Sequence, residues 1–151
     1  MSLQPANFIF RSFHHEEFAT FPKNYQGGKK GKAMVSLDFG FDAAEKVITC
    51  RASAEFSQEG NIYLISRLGG SFEITEASWT ERMNEDQTSV SIEQDLYVHF
   101  SMLVIGALRG FLHARQQQSQ VRAFLGAVNV LELLKDADFA PIPLQQAQHS
   151  E

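Results

Sequence analysis

Cysteine is almost missing from this chain: Cys50 stands alone in 151 residues. That excludes an internal disulfide and a zinc site built on cysteines. Cys50 falls on the apolar phase of an alternating segment and reads as a core thiol. Basic charge is also short. Lys and Arg total 13 against 18 Asp and Glu, for a net charge of −5, the wrong balance for a general nucleic-acid binder. No apolar run reaches the roughly 18 residues of a membrane span without a polar interruption. The opening Met1-Ser2-Leu3-Gln4-Pro5-Ala6-Asn7 lacks a basic segment followed by an apolar core. No secretory leader is therefore expected, and a reduced, cytoplasmic setting fits.

Catalytic and metal-binding patterns are equally thin. His14-His15-Glu16-Glu17 offers ligand types, but neighbours on a strand point to opposite faces, so both histidines cannot reach one ion. His99 and His113 sit 14 residues apart on one helix, about 21 Å along its axis. The basic run Gly27-Gly28-Lys29-Lys30-Gly31-Lys32 resembles a phosphate loop only superficially. A Walker loop needs Gly at position 26 and Ser or Thr at position 33, where this chain has Gln26 and Ala33. Glu73 and Glu76 are three apart and diverge on a strand, and no nucleophile elbow is present. No enzyme activity, no metal and no cofactor is expected.

What the chain does have is phenylalanine, 13 of them, and clear periodicity. At this length one domain is expected, over residues 1–136, able to bury a sizeable core unaided. Residues 8–21 carry Phe8, Phe10, Phe13, Phe18 and Phe21, and the apolar phase slips between Phe10 and Phe13, which predicts a bulge. Residues 33–42 and 46–56 alternate cleanly, the first with Val35, Leu37, Phe39 and Phe41 on one side, the second with Ile48, Cys50, Ala52, Ala54 and Phe56. A tight turn at Gln58-Glu59-Gly60-Asn61 leads into a strand over 62–76 with Gly69-Gly70 at its middle, the signature of a bulge, a twist or a close approach. Short turns between alternating strands predict an antiparallel sheet with one wet face.

Residues 92–112 then switch to helical spacing. Ile92, Leu96, Phe100, Leu103, Ala107 and Phe111 form one stripe; Tyr97, Val104, Leu108 and Leu112 form another a quarter turn away. A helix apolar nearly all round must be covered on more than one side. The economical cover is another copy of the chain, which makes Phe100, Leu103, Val104, Ala107, Leu108 and Phe111 the expected oligomer interface. Asn129 is placed to cap a short helix over Val130–Lys135. Residues 137–151 hold two prolines and end in QQAQHSE, and are expected to be loose.

The order of elements, four antiparallel strands, a long apolar helix and a short one packed on one face, resembles the SecB-type protein-export chaperones. The match is carried by Gly69-Gly70-Ser71-Phe72-Glu73-Ile74, by Ala107-Leu108-Arg109, by Val128-Asn129-Val130-Leu131-Glu132-Leu133-Leu134, and by Phe8-Ile9-Phe10-Arg11. It spans roughly residues 8–135. The resemblance implies an α+β, SecB-like fold, a homotetrameric dimer of dimers, and ATP-independent holding of unfolded preproteins or other client polypeptides. It implies SecA as a partner through acidic residues on the sheet, here Glu17 with Glu16; a second acidic position of the family falls at Ile65. Some SecB-like proteins instead serve toxin–antitoxin pairs. A holdase needs exposed apolar surface with a polar rim, and the candidates for peptide contact are Phe10, Phe13, Phe18, Phe21, Tyr25, Leu125, Val128, Leu131 and Leu134. The rival reading is a small apolar ligand enclosed between sheet and helix.

Overall fold

The computed structural model describes residues 4–144. Four long strands, β1 (Phe8–Thr20), β2 (Lys32–Asp42), β3 (Val47–Gln58) and β4 (Asn61–Ile74), make one antiparallel sheet in the order β1-β4-β3-β2. After β4 come a short helix α1 (Glu76–Glu81), a two-residue strand β5 (Ser89–Val90), the long helix α2 (Gln94–Gln116), a one-turn helix α3 (Val130–Leu134) and a last strand β6 (Ile142–Pro143) that pairs with β5. The α+β architecture follows the pattern of the sequence. α1, β5 and β6 are additions that its periodicity does not announce.

Each strand follows from its alternation. Ile48, Cys50, Ala52, Ala54 and Phe56 of β3 are all buried, and their partners on β4 include Phe72, Leu68 and Leu64. The β3–β4 loop is only Glu59-Gly60, both at positive φ of 52° and 81°, the backbone of a type I′ hairpin. β1 carries two irregularities, one between Phe10 and Ser12 and one between His15 and Glu17. Their effect is to keep Phe8, Phe10, Phe13, His15 and Phe18 on the helix side along 11 residues, as the slipped phase predicts.

Gly69 and Gly70 pair in regular register and serve close approach on both faces. A Cβ at Gly70 would meet Val104 at 2.8 Å and Phe13 and Phe72 at 3.3 Å; one at Gly69 would fall 2.3 Å from the His14 imidazole. α2 thus lies directly over the small centre of the sheet, Cys50, Ala52, Ala54 and Gly70. Phe72 and Phe100 stack at 4.1 Å, and Phe8 meets both rings edge-on. Such ring pairs contribute about 0.5–1.5 kcal/mol beyond the area they bury.

In length and composition α2 would pass for a membrane span, but it roofs this core. Leu96, Tyr97, Phe100, Val104, Ile105, Leu108 and Leu112 are buried within one chain. This corrects the expected interface. Phe100, Val104 and Leu108 are wholly inaccessible, because both apolar stripes pack on the sheet, Phe100 stacked on Phe72 and Val104 seated over Gly70. Leu103 stays exposed, and Ala107 and Phe111 are half-buried.

Residues 137–144 also depart from expectation. Phe139 stacks on Tyr97 at 4.5 Å, and Ile142 is buried opposite Val90. The remaining tail positions, 145–151, lie outside the described residues. A buried guanidinium beside β5 ties the start of α2 to the N-terminal segment: Arg82 donates to Glu93 at 2.7 and 2.9 Å, to the Ser78 carbonyl and to the Gln4 carbonyl.

Candidate functional site

Among the described residues β1 is a free sheet edge, with β4 as its only strand neighbour. An edge of 13 residues with large apolar side chains on it is a template for another chain. Phe10 and Phe13, with rings 4.7 Å apart, are each 45% exposed. Their undersides rest on Phe72 and near Gly70, so the two rings form a shelf. Further along, His15 lies 4.5 Å from Phe111, Phe18 packs edge-on to Phe111, and the Arg115 guanidinium sits 5.6 Å from both phenylalanine rings. On α2 the positions His99, Leu103, Ala107 and Phe111 follow one helical row. Its ends touch Phe8 and His15 of β1, so the row runs beside the strand. Strand edge and helix row together make an open trough: apolar floor, aromatic steps, a cation at one end, and unpaired backbone along one wall.

The remaining peptide-contact candidates separate. Phe21 is exposed and Tyr25 half-buried against Tyr63, beyond the end of β1. Val128 is half-buried and Leu131 is exposed. Leu125 and Leu134 are corrections: both are buried in the core and offer no contact surface. The turn of α3 points Val130 and Leu134 inward and leaves Leu131 and Leu133 outside. Asn129 caps this helix as expected, its side chain accepting from the Glu132 amide at 3.1 Å. Arg109 fixes the preceding segment by donating to the Leu125 and Gly126 carbonyls at 3.0 and 2.9 Å.

Exposed apolar residues that the periodicity does not single out are Ile9, Met34, Met102 and Phe124; Phe41, on the apolar phase of β2, is also left exposed. Phe124 stands 83% exposed beside an open hollow of about 450 Å³ floored by Gly106 and Gly110 of α2. Its only signal in the sequence is a large aromatic inside an aperiodic stretch.

The opposite face of the sheet is a lattice of charge. Arg67 pairs with Glu17 at 2.7 Å and Glu55 at 3.6 Å; Arg51 pairs with Glu16 at 3.0 Å and Asp38 at 3.7 Å; Arg11 pairs with Glu73 at 3.2 Å and Glu45 at 3.6 Å. Glu16 and Glu17 are therefore each already paired directly with an arginine, and Glu16, Arg51 and Arg67 line an open depression of about 600 Å³. Ile65 is half-buried on the same sheet opposite Ala19 and Glu55. Burial pushes the Cys50 thiol up to about 12, and the Ser101 hydroxyl lies 3.9 Å from its sulfur. That is an inert thiol rather than a nucleophile. Among the described residues no group of His, Cys, Asp or Glu is placed to hold a metal ion.

No protein-family model matches this sequence, and a search of curated proteins finds no match. Among solved structures the chain is similar to a Mycobacterium tuberculosis SecB-like chaperone in complex with a ChAD peptide from the HigA1 antitoxin. The superposition has a TM-score of 0.53 at 8% identity and covers 80% of this chain and 90% of that one. A Streptococcus agalactiae protein of unknown function aligns with a TM-score of 0.40 at 12% identity, over 83% of this chain and all of that one. At such identity the first likeness is one of fold, and the fold is SecB-like.

Proposed function

We propose that this chain is an ATP-independent holdase that binds unfolded polypeptides along the trough between β1 and α2. The paired shelf of Phe10 and Phe13 on a free strand edge carries the reading. An extended client would add main-chain hydrogen bonds to the edge while its apolar side chains occupy the trough. The fold supports the same reading, since it is shared with a chaperone whose structure contains a peptide. Such a protein opposes folding and aggregation by mass action on the unfolded state. An enclosed small-ligand site is the less favoured reading, because both hollows described above are open to solvent.

Self-association belongs to this proposal. Met102, Leu103, Gly106 and Gly110 leave the outer side of α2 apolar and exposed, next to Phe124, and a second copy is the proposed cover, within a dimer of dimers. Export is the proposed setting, in the cytoplasm, with preproteins as clients and SecA docked on Glu16 and Glu17. An anionic partner surface would be repelled there, whereas a basic one could compete for the carboxylates now facing Arg51 and Arg67.

The decisive experiment is suppression of aggregation of a chemically denatured substrate at stoichiometric amounts. The double variant Phe10→Asp/Phe13→Asp replaces half-exposed rings that rest on Phe72, so its unfolding midpoint should fall while the transition stays cooperative. Its affinity for an unfolded polypeptide should drop at least about tenfold, the loss of one good apolar anchor. Unchanged suppression by that variant would remove the trough from the site, and no suppression by the folded parent would end the holdase reading.

A further inference from the structure

One extended segment of this chain is seated in the fold the way a client would be. Residues 139–144 read Phe-Ala-Pro-Ile-Pro-Leu. Phe139 lies flat on Tyr97 at 4.5 Å and edge-on to Phe39 at 6.1 Å. Three residues on, Ile142 is buried opposite Val90, and the Leu144 amide donates to the Thr88 carbonyl at 2.9 Å. The floor beneath is aromatic, Phe39 and Tyr97, with Phe41 edge-on to Tyr97 and 47% exposed beside it. Aromatic anchor, aliphatic anchor and one rung of strand pairing are the elements by which an extended apolar peptide is recognised.

The attachment is also thin. Pro141 and Pro143 have no N–H to give, β6 is two residues long, and the connection from α3 through Lys135, Asp136, Ala137 and Asp138 is fully exposed. A segment held by three side chains and tethered by a short polar linker opens locally at little cost to the rest of the core.

We propose that residues 139–144 are a displaceable internal strap that occupies an aromatic groove between β2 and α2, and that an extended polypeptide with an aromatic residue followed three positions later by an aliphatic one takes its place. The proposal rests on the polypeptide-binding reading above and adds a second groove with its own occupant. The tether holds the strap at an effective concentration in the millimolar range. Apparent client affinity is therefore lowered by the fraction of time the groove is open.

The strap can be locked without touching the core. Ser89 and Pro143 oppose each other across the β5–β6 pair, and neither is buried. Directly opposed antiparallel positions lie within the span of a disulfide. In the full-length Ser89→Cys/Pro143→Cys protein, oxidation closes the strap and reduction frees it, while buried Cys50 stays unreactive. The probe is fluorescein-labelled, reduced and carboxamidomethylated α-lactalbumin, titrated by anisotropy. The reduced form should bind about tenfold more tightly than the oxidised form. A Phe139→Ser variant, checked for a cooperative unfolding transition, should bind at least as tightly as the reduced form. Equal affinity in oxidised and reduced protein overturns the strap and leaves the holdase reading standing. Absence of binding in every form overturns the holdase reading and the strap with it.

Discussion

Cys50 and Tyr97 show how much a single buried group can report. Burial raises the thiol from 9.0 to about 12 and the Tyr97 phenol from 10.0 to about 12. Both groups prefer their neutral forms in the fold, so the unfolded chain loses protons first as the pH rises. Their contribution is complete below pH 9 and disappears between pH 9 and 12. Urea unfolding should therefore be level up to pH 9 and weaken by roughly 4 kcal/mol at pH 11, at about 1.4 kcal/mol for each pH step a group spans, two for the thiol and one for the phenol. Cys50→Ala should postpone the decline to pH 10, and an unmoved onset would mean the thiol is not buried. Cys50 was legible as a core thiol from its phase alone, whereas Tyr97 is covered by Phe39 and Phe41 of β2 and by Phe139, 42 positions away, which no local pattern joins to it.

Among the elements, β1 is the clearest case of a readable irregularity. The slip of its phenylalanines predicts a bulge between Phe10 and Phe13, and Arg11 is the extra residue at the first shift. Deleting Arg11 leaves Phe10 opposite Phe72, Ser12 opposite Ser71 and every helix-side ring on its face. It loses only exposed ion pairs to Glu73 and Glu45, worth about 0–1 kcal/mol each. That deletion should fold with a near-parental unfolding midpoint. It should also associate edge to edge more readily, since bulges blunt a free edge. Deleting His14 instead falls inside a regular stretch and turns one side of the strand over, so it should yield little soluble protein. Equal behaviour of the two deletions in expression and urea unfolding would show that β1 does not depend on its phase. α2 was equally legible as a helix, but its interface was not. Spacing identifies Phe100, Val104 and Leu108 as apolar, and only the packing of α2 across β3 and β4 decides that they face inward.

At the scale of the molecule, three apolar surfaces stand out: the β1 trough, the strap groove, and the outer row of α2 with Phe124. The last is the proposed contact between copies. Light scattering behind size exclusion should give a multiple of the 17.0 kDa chain. Met102→Lys combined with Phe124→Ser should reduce that mass while leaving the unfolding transition of the subunit in place, because both side chains are exposed. A parental mass of one chain would instead leave that row free in solution.

Alternation, turn residues and helical spacing determined the four strands, the β2–β3 and β3–β4 hairpins, α2 and the cap of α3, because each is written within a few neighbouring residues; the pairing of β1 with β4 is not, and was decided by the fold. Which apolar residues became core and which became surface was decided only in three dimensions. Leu125 and Leu134 went inside while Leu131 and Phe124 stayed out, and residues 139–144 found Tyr97 and Val90. These outcomes depend on contacts between segments tens of residues apart, and an apolar side chain looks the same in sequence whether it faces the core or a partner.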